Sequence, residues 1–404
     1  AEENDVLWFG TQADQTSLAP DVVVASQVYD WTVVLDQIIE LIQSGTRGGQ
    51  AFALDLANDG LVVQYNPGFA VPDDVKALAD ETIQGIVNGS IDVFGAPPAA
   101  PAIKFRVATV MPSATNDLAF SQSMYDALVA IQEEMGADSF EFAYSDGMFV
   151  VDDAAAAIRD YATQGYDLVI AHGSQYGSSL VEIAPDFSDT SFAWGTTVDT
   201  FTDQGIDNVF AYEARSEEGG YVLGVIAASL SQSGVLGVIG PIETGDAKLY
   251  VDGFKAGVLA TKPDAQVNVN WTGSFSDVAL ASEAAQTHID AGADALTGSA
   301  QMVVGAVGVA EENDVLWFGT QADQTSLAPD VVVASQVYEW TVVLDQIIEL
   351  IQGGTRGGQA FALDLANGGL VVQYNPGFAV PDDVEALADE TIQGIVDGTI
   401  TVLE

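Results

Sequence analysis

Residues 1–93 of this 404-residue chain recur at 310–402, at a constant offset of 309 and without a gap. Seven positions differ: Asp30/Glu339, Ser44/Gly353, Asp59/Gly368, Lys76/Glu385, Asn88/Asp397, Ser90/Thr399 and Asp92/Thr401. A self-match of this length governs how the chain is parsed. Residues 103–309 occur once, so the chain reads as one central body with a near-identical segment at each end, rather than as three ordinary domains. The differences are scattered and several change charge, which argues against a simple copying artefact. Alone, the segment would expose the apolar faces of Val332, Leu344, Ile347, Ile348 and Ile351. Exposed apolar area of about 25 cal/mol per Å² drives a search for partner surface. One body offers one place, and each chain brings two fillers. The surplus copy is therefore expected to engage another chain. A link between non-identical surfaces repeats head to tail, into a ring or an open filament.

Between the first copy (1–94) and the body, residues 95–102 read Gly-Ala-Pro-Pro-Ala-Ala-Pro-Ala, an extended and semi-rigid linker. Beyond it, short apolar runs such as Leu168-Val-Ile-Ala171 and Val235-Leu-Gly-Val-Ile239 alternate with helical periods such as 120–135, 217–231 and 249–260. This alternation predicts an α/β fold, parallel sheets with helices on both faces. Ligands of such sheets sit at the carboxyl ends of the strands. In the repeated segment, 341–352 reads as an apolar helix and 382–396 as a closing helix. Residues 361–365 and 370–374 read as a strand pair around the turn Ala366-Asn-Gly-Gly369.

The chain carries 59 acidic against 10 basic residues, a formal charge of −49. A disordered acidic chain would be poor in apolar residues, whereas this one is 48% hydrophobic with 18 Phe. The reading is a folded protein whose acidic surface is adapted to high salt, where a Debye length of about 3 Å screens the self-repulsion. Basic patches are absent, so nucleic acid is excluded as a partner. The chain has no Cys, which excludes disulfides, thiolate metal sites and Cys nucleophiles. No run approaches 18 apolar residues. With no Gly-x-Ser-x-Gly, no P-loop and two His, the chain reads as a non-enzyme without catalytic residues, metal or cofactor. Asn88 and Asn270 stand in Asn-x-Ser/Thr sequons and are glycosylation candidates in a secreted chain.

A series of short motifs runs in order through residues 103–404: Asn116-Asp-Leu-Ala-Phe-Ser-Gln-Ser123, Gly165-Tyr-Asp-Leu-Val-Ile-Ala-His-Gly173, Glu218-Gly-Gly-Tyr-Val-Leu-Gly224, Gly253-Phe-Lys-Ala-Gly257, Gly273-Ser-Phe-Ser-Asp277, Gly292-Ala-Asp294, Asp323-Gln324, Leu327-Ala-Pro-Asp-Val331 and Ala334-Ser335. Together they resemble the basic membrane protein family of ABC-transporter substrate-binding proteins, which includes purine nucleoside receptors. The resemblance implies a two-lobed periplasmic-binding-protein fold of the first type, crossed three times by the chain, with a ligand in a cleft closed by hinge motion. It places lobe 1 at 103–213, completed by about 332–358, and lobe 2 at 214–331, completed by about 359–404. It implies an extracellular or cell-surface protein, a nucleoside-like solute and an ABC permease as partner.

The resemblance points to Asn116, Asp117 and Phe120 as ligand contacts, Asp117 to orient a solute and Phe120 to stack on it. Tyr176, following the strand that ends at His172, could stack or hydrogen-bond. In the family an acid usually stands two residues before the Asp323 position and a Lys after the Ser335 position. Here those places fall to Gln321 and near Tyr338, which changes what the cleft can bond. His172 reads as a satisfied loop histidine and Asp277 as a helix cap. Two functions follow, from different classes. The altered cleft and the surplus segment favour a binding-protein fold reused as a subunit of an extracellular polymer, exchanging the repeated segment head to tail. The ordered motifs favour a solute-binding protein serving a transporter.

Overall fold

One sequence meets two environments in the computed structural model, which describes residues 6–88, 90–91 and 104–403. The chain divides into two units, residues 1–101 and 102–404. The expected linker, 95–102, lies outside the described residues. In the first unit, strands β1 (Trp8–Gln12), β2 (Val23–Tyr29) and β3 (Leu61–Tyr65) form a three-stranded sheet, accompanied by helices α1 (Thr32–Gln43) and α2 (Asp73–Val87). β1 runs parallel to β2, and β3 antiparallel to it.

The second unit begins with β4 (Phe105–Val110), α3 (Phe120–Met135), β5 (Phe140–Ser145), α4 (Val151–Thr163), β6 (Leu168–His172), α5 (Gly177–Ile183), β7 (Ser191–Gly195) and β8 (Val209–Ala214). The chain then crosses to a second lobe with α6 (Ser216–Leu230), β9 (Val235–Gly240), α7 (Gly245–Thr261), β10 (Gln266–Trp271), α8 (Val278–Asp290), β11 (Ala295–Gly298), α9 (Val303–Glu312), β12 (Leu316–Gln321) and β13 (Val332–Tyr338). It returns with α10 (Thr341–Gln352) and β14 (Ala360–Leu363), then crosses once more to β15 (Leu370–Tyr374) and α11 (Asp382–Val396). One sheet has the order β5-β4-β6-β7-β8-β14 and the other β10-β9-β11-β12-β13-β15. Every pairing is parallel except β13 with β15. The two-lobed α/β architecture is thus as the sequence predicts.

Central strands such as β6 are buried along their whole length, because helices cover both faces of a parallel sheet. Two motifs singled out in the sequence meet each other here. Gly220 and Gly224 of α6 face Gly253 and Gly257 of α7. A Cβ on Gly224 would lie 2.2 Å from the Phe254 carbonyl oxygen, and one on Gly257 would lie 2.0 Å from that of Tyr221. Only bare glycine lets these two backbones approach so closely.

The lobes are completed in a different order from the expected one. Val332–Tyr338 joins the second sheet beside β12, not lobe 1. Ala360–Leu363 joins the first sheet beside β8, not lobe 2. The expected hairpin of 361–365 with 370–374 is not formed either. Asn367 does build a tight turn, its side-chain oxygen accepting from the amides of Asp364 and Gly369. That turn carries the chain between lobes instead of folding it back. The physical reason is the free edge of β8, whose backbone groups need a parallel partner that the local pattern cannot announce.

The copies show what such a partner is worth. Residues 51–54, identical to β14, form no strand in the first unit. β1, β2 and β3 keep the registers of β12, β13 and β15. Burial differs sharply: Trp8 is 48% exposed and Trp317 0%, Leu35 53% and Leu344 1%, Ile42 58% and Ile351 7%. Leu344→Ala should therefore cost about 2–5 kcal/mol, whereas the equivalent Leu35→Ala should stay within about 0.5 kcal/mol. Urea unfolding at molar KCl, followed through the body, measures both; equal costs would contradict the burial difference.

Candidate functional site

A cleft lies between the two lobes of the second unit. Pro112, Phe120, Phe149, Gly173, Ser174, Gln175 and Thr196 line it from the first lobe. Asp246, Ala247, Phe275, Ser299, Ala300, Gln301 and Gln321 line it from the second. Most follow the carboxyl end of a strand: Pro112 after β4, Gly173 after β6, Thr196 after β7, Ser299 after β11, and Gln321 ends β12. The cleft spans about 410 Å³. Thr196 of the first lobe bonds across it to Asp246 of the second.

Phe120 opens α3 and presents its ring to the cleft. Behind it lies the imidazole of His172, with centroids 3.8 Å apart and planes inclined by 9°. Trp340 stands edge-on to Phe120, His172, Tyr212 and Tyr338. The opposite wall is polar. Ser299 Oγ, Gln301 Oε1 and Gln321 Oε1 are enclosed and have no partner among the described residues. Buried acceptors in this state carry a desolvation cost that a solute donor would remove. Among the lining residues the one ionisable side chain is Asp246.

The sequence candidates divide. Phe120 and Gln321 line the cleft. Tyr338 does not, but its buried hydroxyl donates to Asp246 Oδ2 at 3.2 Å. Asn116 is exposed and outside the lining. Asp117 is also outside it. Its carboxylate accepts from the backbone amides of Ala119, Ser121 and Gln122, closing the first turn of α3. Burial pushes its pKa up, opposed by those bonds and by the Ser113 hydroxyl. Tyr176 is buried in the core of the first lobe, and its hydroxyl donates to the Met148 carbonyl at 2.7 Å. Asp277 caps α8, accepting from the amides of Ala279 and Leu280. Asn88 is exposed at the end of α2, and Asn270 is half-buried in β10, an edge strand.

Asp246, Thr196, Ser299, Gln301, Phe149 and Phe275 were not singled out in the sequence. The usable signal was position, since each follows a strand, although the strand before Phe149 was not predicted. Asp246 was hidden among 59 acids. Among the described residues no His/Asp/Glu group could hold a metal ion, and no helix is long and apolar enough to cross a membrane.

The family described as ABC transporter substrate-binding protein, PnrA-like (Bmp), matches residues 104–400. A purine-binding protein of Brucella abortus is 29% identical over 297 residues, covering 74% of this chain and 82% of the relative. A putative ABC transporter glucose-binding protein of Haloferax volcanii, TsgA13, is 22% identical over 322 residues, covering 79% of this chain and 80% of the relative. Among solved structures, an ABC transporter solute-binding protein from Conexibacter woesei superposes with a TM-score of 0.61 at 25% identity, covering 74% of this chain and 99% of its own.

His172 ends a core strand rather than lying in a loop. Its Nδ1 is 2.8 Å from the Tyr212 hydroxyl and its Nε2 is 3.0 Å from the Phe120 carbonyl oxygen. The carbonyl can only accept, so Nε2 carries a proton. Burial pushes its pKa from 6.5 down to about 3, against the pull of that carbonyl. An unfolded imidazole takes up a proton near 6.5 and the folded one does not until about 3. This residue's contribution is therefore complete above pH 6.5 and is lost as pH falls from there towards 3, by about 1.4 kcal/mol per pH unit. His172→Gln should remove one proton's worth of that slope from the urea-derived stability between about pH 6 and pH 4. A slope identical to that of the unsubstituted protein would mean that the ring is already charged in the fold.

Proposed function

The chain belongs to the PnrA-like Bmp family of ABC transporter substrate-binding proteins, and we propose that its cleft captures a small, ring-bearing, hydroxylated solute of nucleoside type for delivery to an ABC permease. The observation that carries this reading is the asymmetry of the cleft. Phe120 offers a ring face on one wall, and the other wall offers unpartnered polar groups, the Ser299 hydroxyl and the amide oxygens of Gln301 and Gln321. A nucleoside pairs a flat base with a hydroxyl-rich sugar, which suits both walls. The similarity to a purine-binding protein points the same way, and the similarity to a glucose-binding one makes sugars the next class. Phe120 would stack, Gln321 would accept from the solute, and Tyr338 would act through Asp246. The setting is extracellular, and the charge of −49 suits a salt-rich medium.

Isothermal titration and thermal shift at molar KCl test this. A purine nucleoside should raise the melting temperature. Phe120→Leu should weaken its binding by about 1–3 kcal/mol, the worth of one stacked base. No response to any nucleoside or sugar would sink the reading.

A second reading, self-association by segment exchange, rests on a separate observation. In the C-terminal copy all seven differing positions, Glu339, Gly353, Gly368, Glu385, Asp397, Thr399 and Thr401, are exposed. The N-terminal copy therefore keeps every residue that the body buries. It could occupy the same seat on a second chain, joining chains head to tail. Exchange alone still leaves one segment uncovered per chain, so a stable polymer would also have to bury Trp8, Phe9 and Ile42 against a neighbour. Light scattering and electron microscopy at molar KCl should then show large assemblies, and removal of residues 1–95 should leave a folded monomer. In dilute buffer both forms should melt earlier, through unscreened repulsion. A monodisperse full-length monomer at all salt concentrations would rule the exchange out.

A further inference from the structure

Asp246 sits in the first turn of α7, at the floor of the cleft, where the lobes meet. Its side chain is half-buried and lines the cleft. Oδ1 accepts from Thr196 Oγ1 of the first lobe and Oδ2 from the Tyr338 hydroxyl, each at 3.2 Å. Its own carbonyl oxygen accepts from Ser216 Oγ at 2.6 Å. Burial, the largest influence, pushes its pKa up, while these hydroxyls, the Ala247 backbone amide and the Gln321 side chain pull it down. None of these partners carries a positive charge. The nearest lysine along the helix, Lys248, is engaged with Asp252 and Glu243 instead. A half-buried carboxylate without a counter-charge is unfavourable in the empty cleft, so a donor from the solute would relieve it. Two more facts narrow the chemistry of that donor. Both carboxylate oxygens retain lone pairs beyond their hydroxyl partners. The same wall carries two further unpartnered acceptors, Gln301 Oε1 and Gln321 Oε1, and the Ser299 hydroxyl, which can accept or donate.

We propose that Asp246, together with the unpartnered acceptors of its wall, reads hydroxyl groups on the solute and so sets the specificity of the cleft for hydroxylated over deoxygenated forms. This rests on the solute-binding reading of the cleft. Several acceptors at separate places need several donors at separate places. Adjacent hydroxyls supply that, whereas one compact cation supplies a single point of charge. Thr196 and Tyr338 come from opposite sides of the cleft, so the corner assembles fully only when the lobes are closed. A solute hydroxyl bound there would be read in the closed state.

The test uses the full chain at molar KCl and titration calorimetry. The probes are adenosine and 2′-deoxyadenosine, and, independently, glucose and 2-deoxyglucose. The unsubstituted protein should bind the hydroxylated member of a pair at least about tenfold more tightly, the order expected of an unpaired buried partner. The isosteric Asp246→Asn should bind both members alike, while its solute-free melting temperature stays level or rises, because an uncompensated charge has gone. Gln321→Met, which leaves the carboxylate in place, should reduce the discrimination without abolishing it. If nucleosides fail to bind and the sugar pair behaves as described, the nucleoside reading falls and the role of Asp246 stands. Equal binding of both members by the unsubstituted protein would overturn the proposal. So would discrimination that survives in Asp246→Asn, binding confined to amines or alkali cations, or no binding of either pair.

Discussion

The indole of Trp340 holds the two lobes to one geometry. It lies at the junction of β13, which belongs to the second sheet, and α10, which packs on the first lobe. Its Nε1 donates to Ser123 Oγ of α3 at 3.0 Å, and its ring stands edge-on to Phe120, His172, Tyr212 and Tyr338. A buried aromatic with its one donor satisfied combines large apolar burial with a fixed orientation. Through it the floor of the cleft, the stacking ring and the hinge share a single packed cluster. The equivalent Trp31 of the first unit is exposed, with Tyr29 as its neighbouring ring. The residue is the same, and the surface of the body alone makes it a keystone.

The repeat separates what a sequence says locally from what it says only in context. The turn after β12 is local: Gln324 Oε1 accepts from the Trp317 indole, and the Gln324 amide donates to Ser335 Oγ. Gln15, Trp8 and Ser26 make the same bonds with no cleft beside them. Asn66 and Asn375 likewise tie the same two carbonyls in each copy. Helix spans and most strands were legible because they depend on neighbours along the chain. The pairing of β14 was not, because it depends on the free edge of β8, well over a hundred residues away. The lobe assignment of β13 and β14 failed for that reason, although the architecture itself was read correctly.

The cleft was legible in outline and not in detail. Motif order pointed to Phe120 and Gln321, which line the cleft. It also pointed to Asp117, whose carboxylate is spent on the amides of its own helix. In a chain this acidic a carboxylate carries almost no information until its neighbours are known. Asp117 and Asp246 are both acids close to a helix start. They differ in that three backbone amides of its own helix close the first turn around Asp117, while Asp246 also takes side-chain hydroxyls from Thr196 and Tyr338 and lines the cleft. His172 shows the converse. Its chemistry looked like that of a loop residue, yet desolvation holds it neutral as a polar strut beneath Phe120.

Solute capture and the proposed exchange are not independent, because the same residues serve both. The chain crosses between lobes at 214–216, at 338–341 and at 363–370, and the last two crossings lie inside the repeated segment. That segment supplies β12, β13 and β15 to one sheet, and β14 and α10 to the other lobe. Whichever copy fills the body also supplies two of the three hinge strands, together with Gln321 and Tyr338 or their equivalents Gln12 and Tyr29. Since the seven substitutions all lie on exposed positions, a body filled by either copy would keep the same cleft chemistry. Solute held in the closed cleft would then bind to the filled body and not to an empty one, stabilising occupancy of the seat by mass action. Exchange would have to pass through a state in which the cleft has lost its second wall. The cost of that passage, rather than the affinity of one copy over the other, sets how fast segments could trade places.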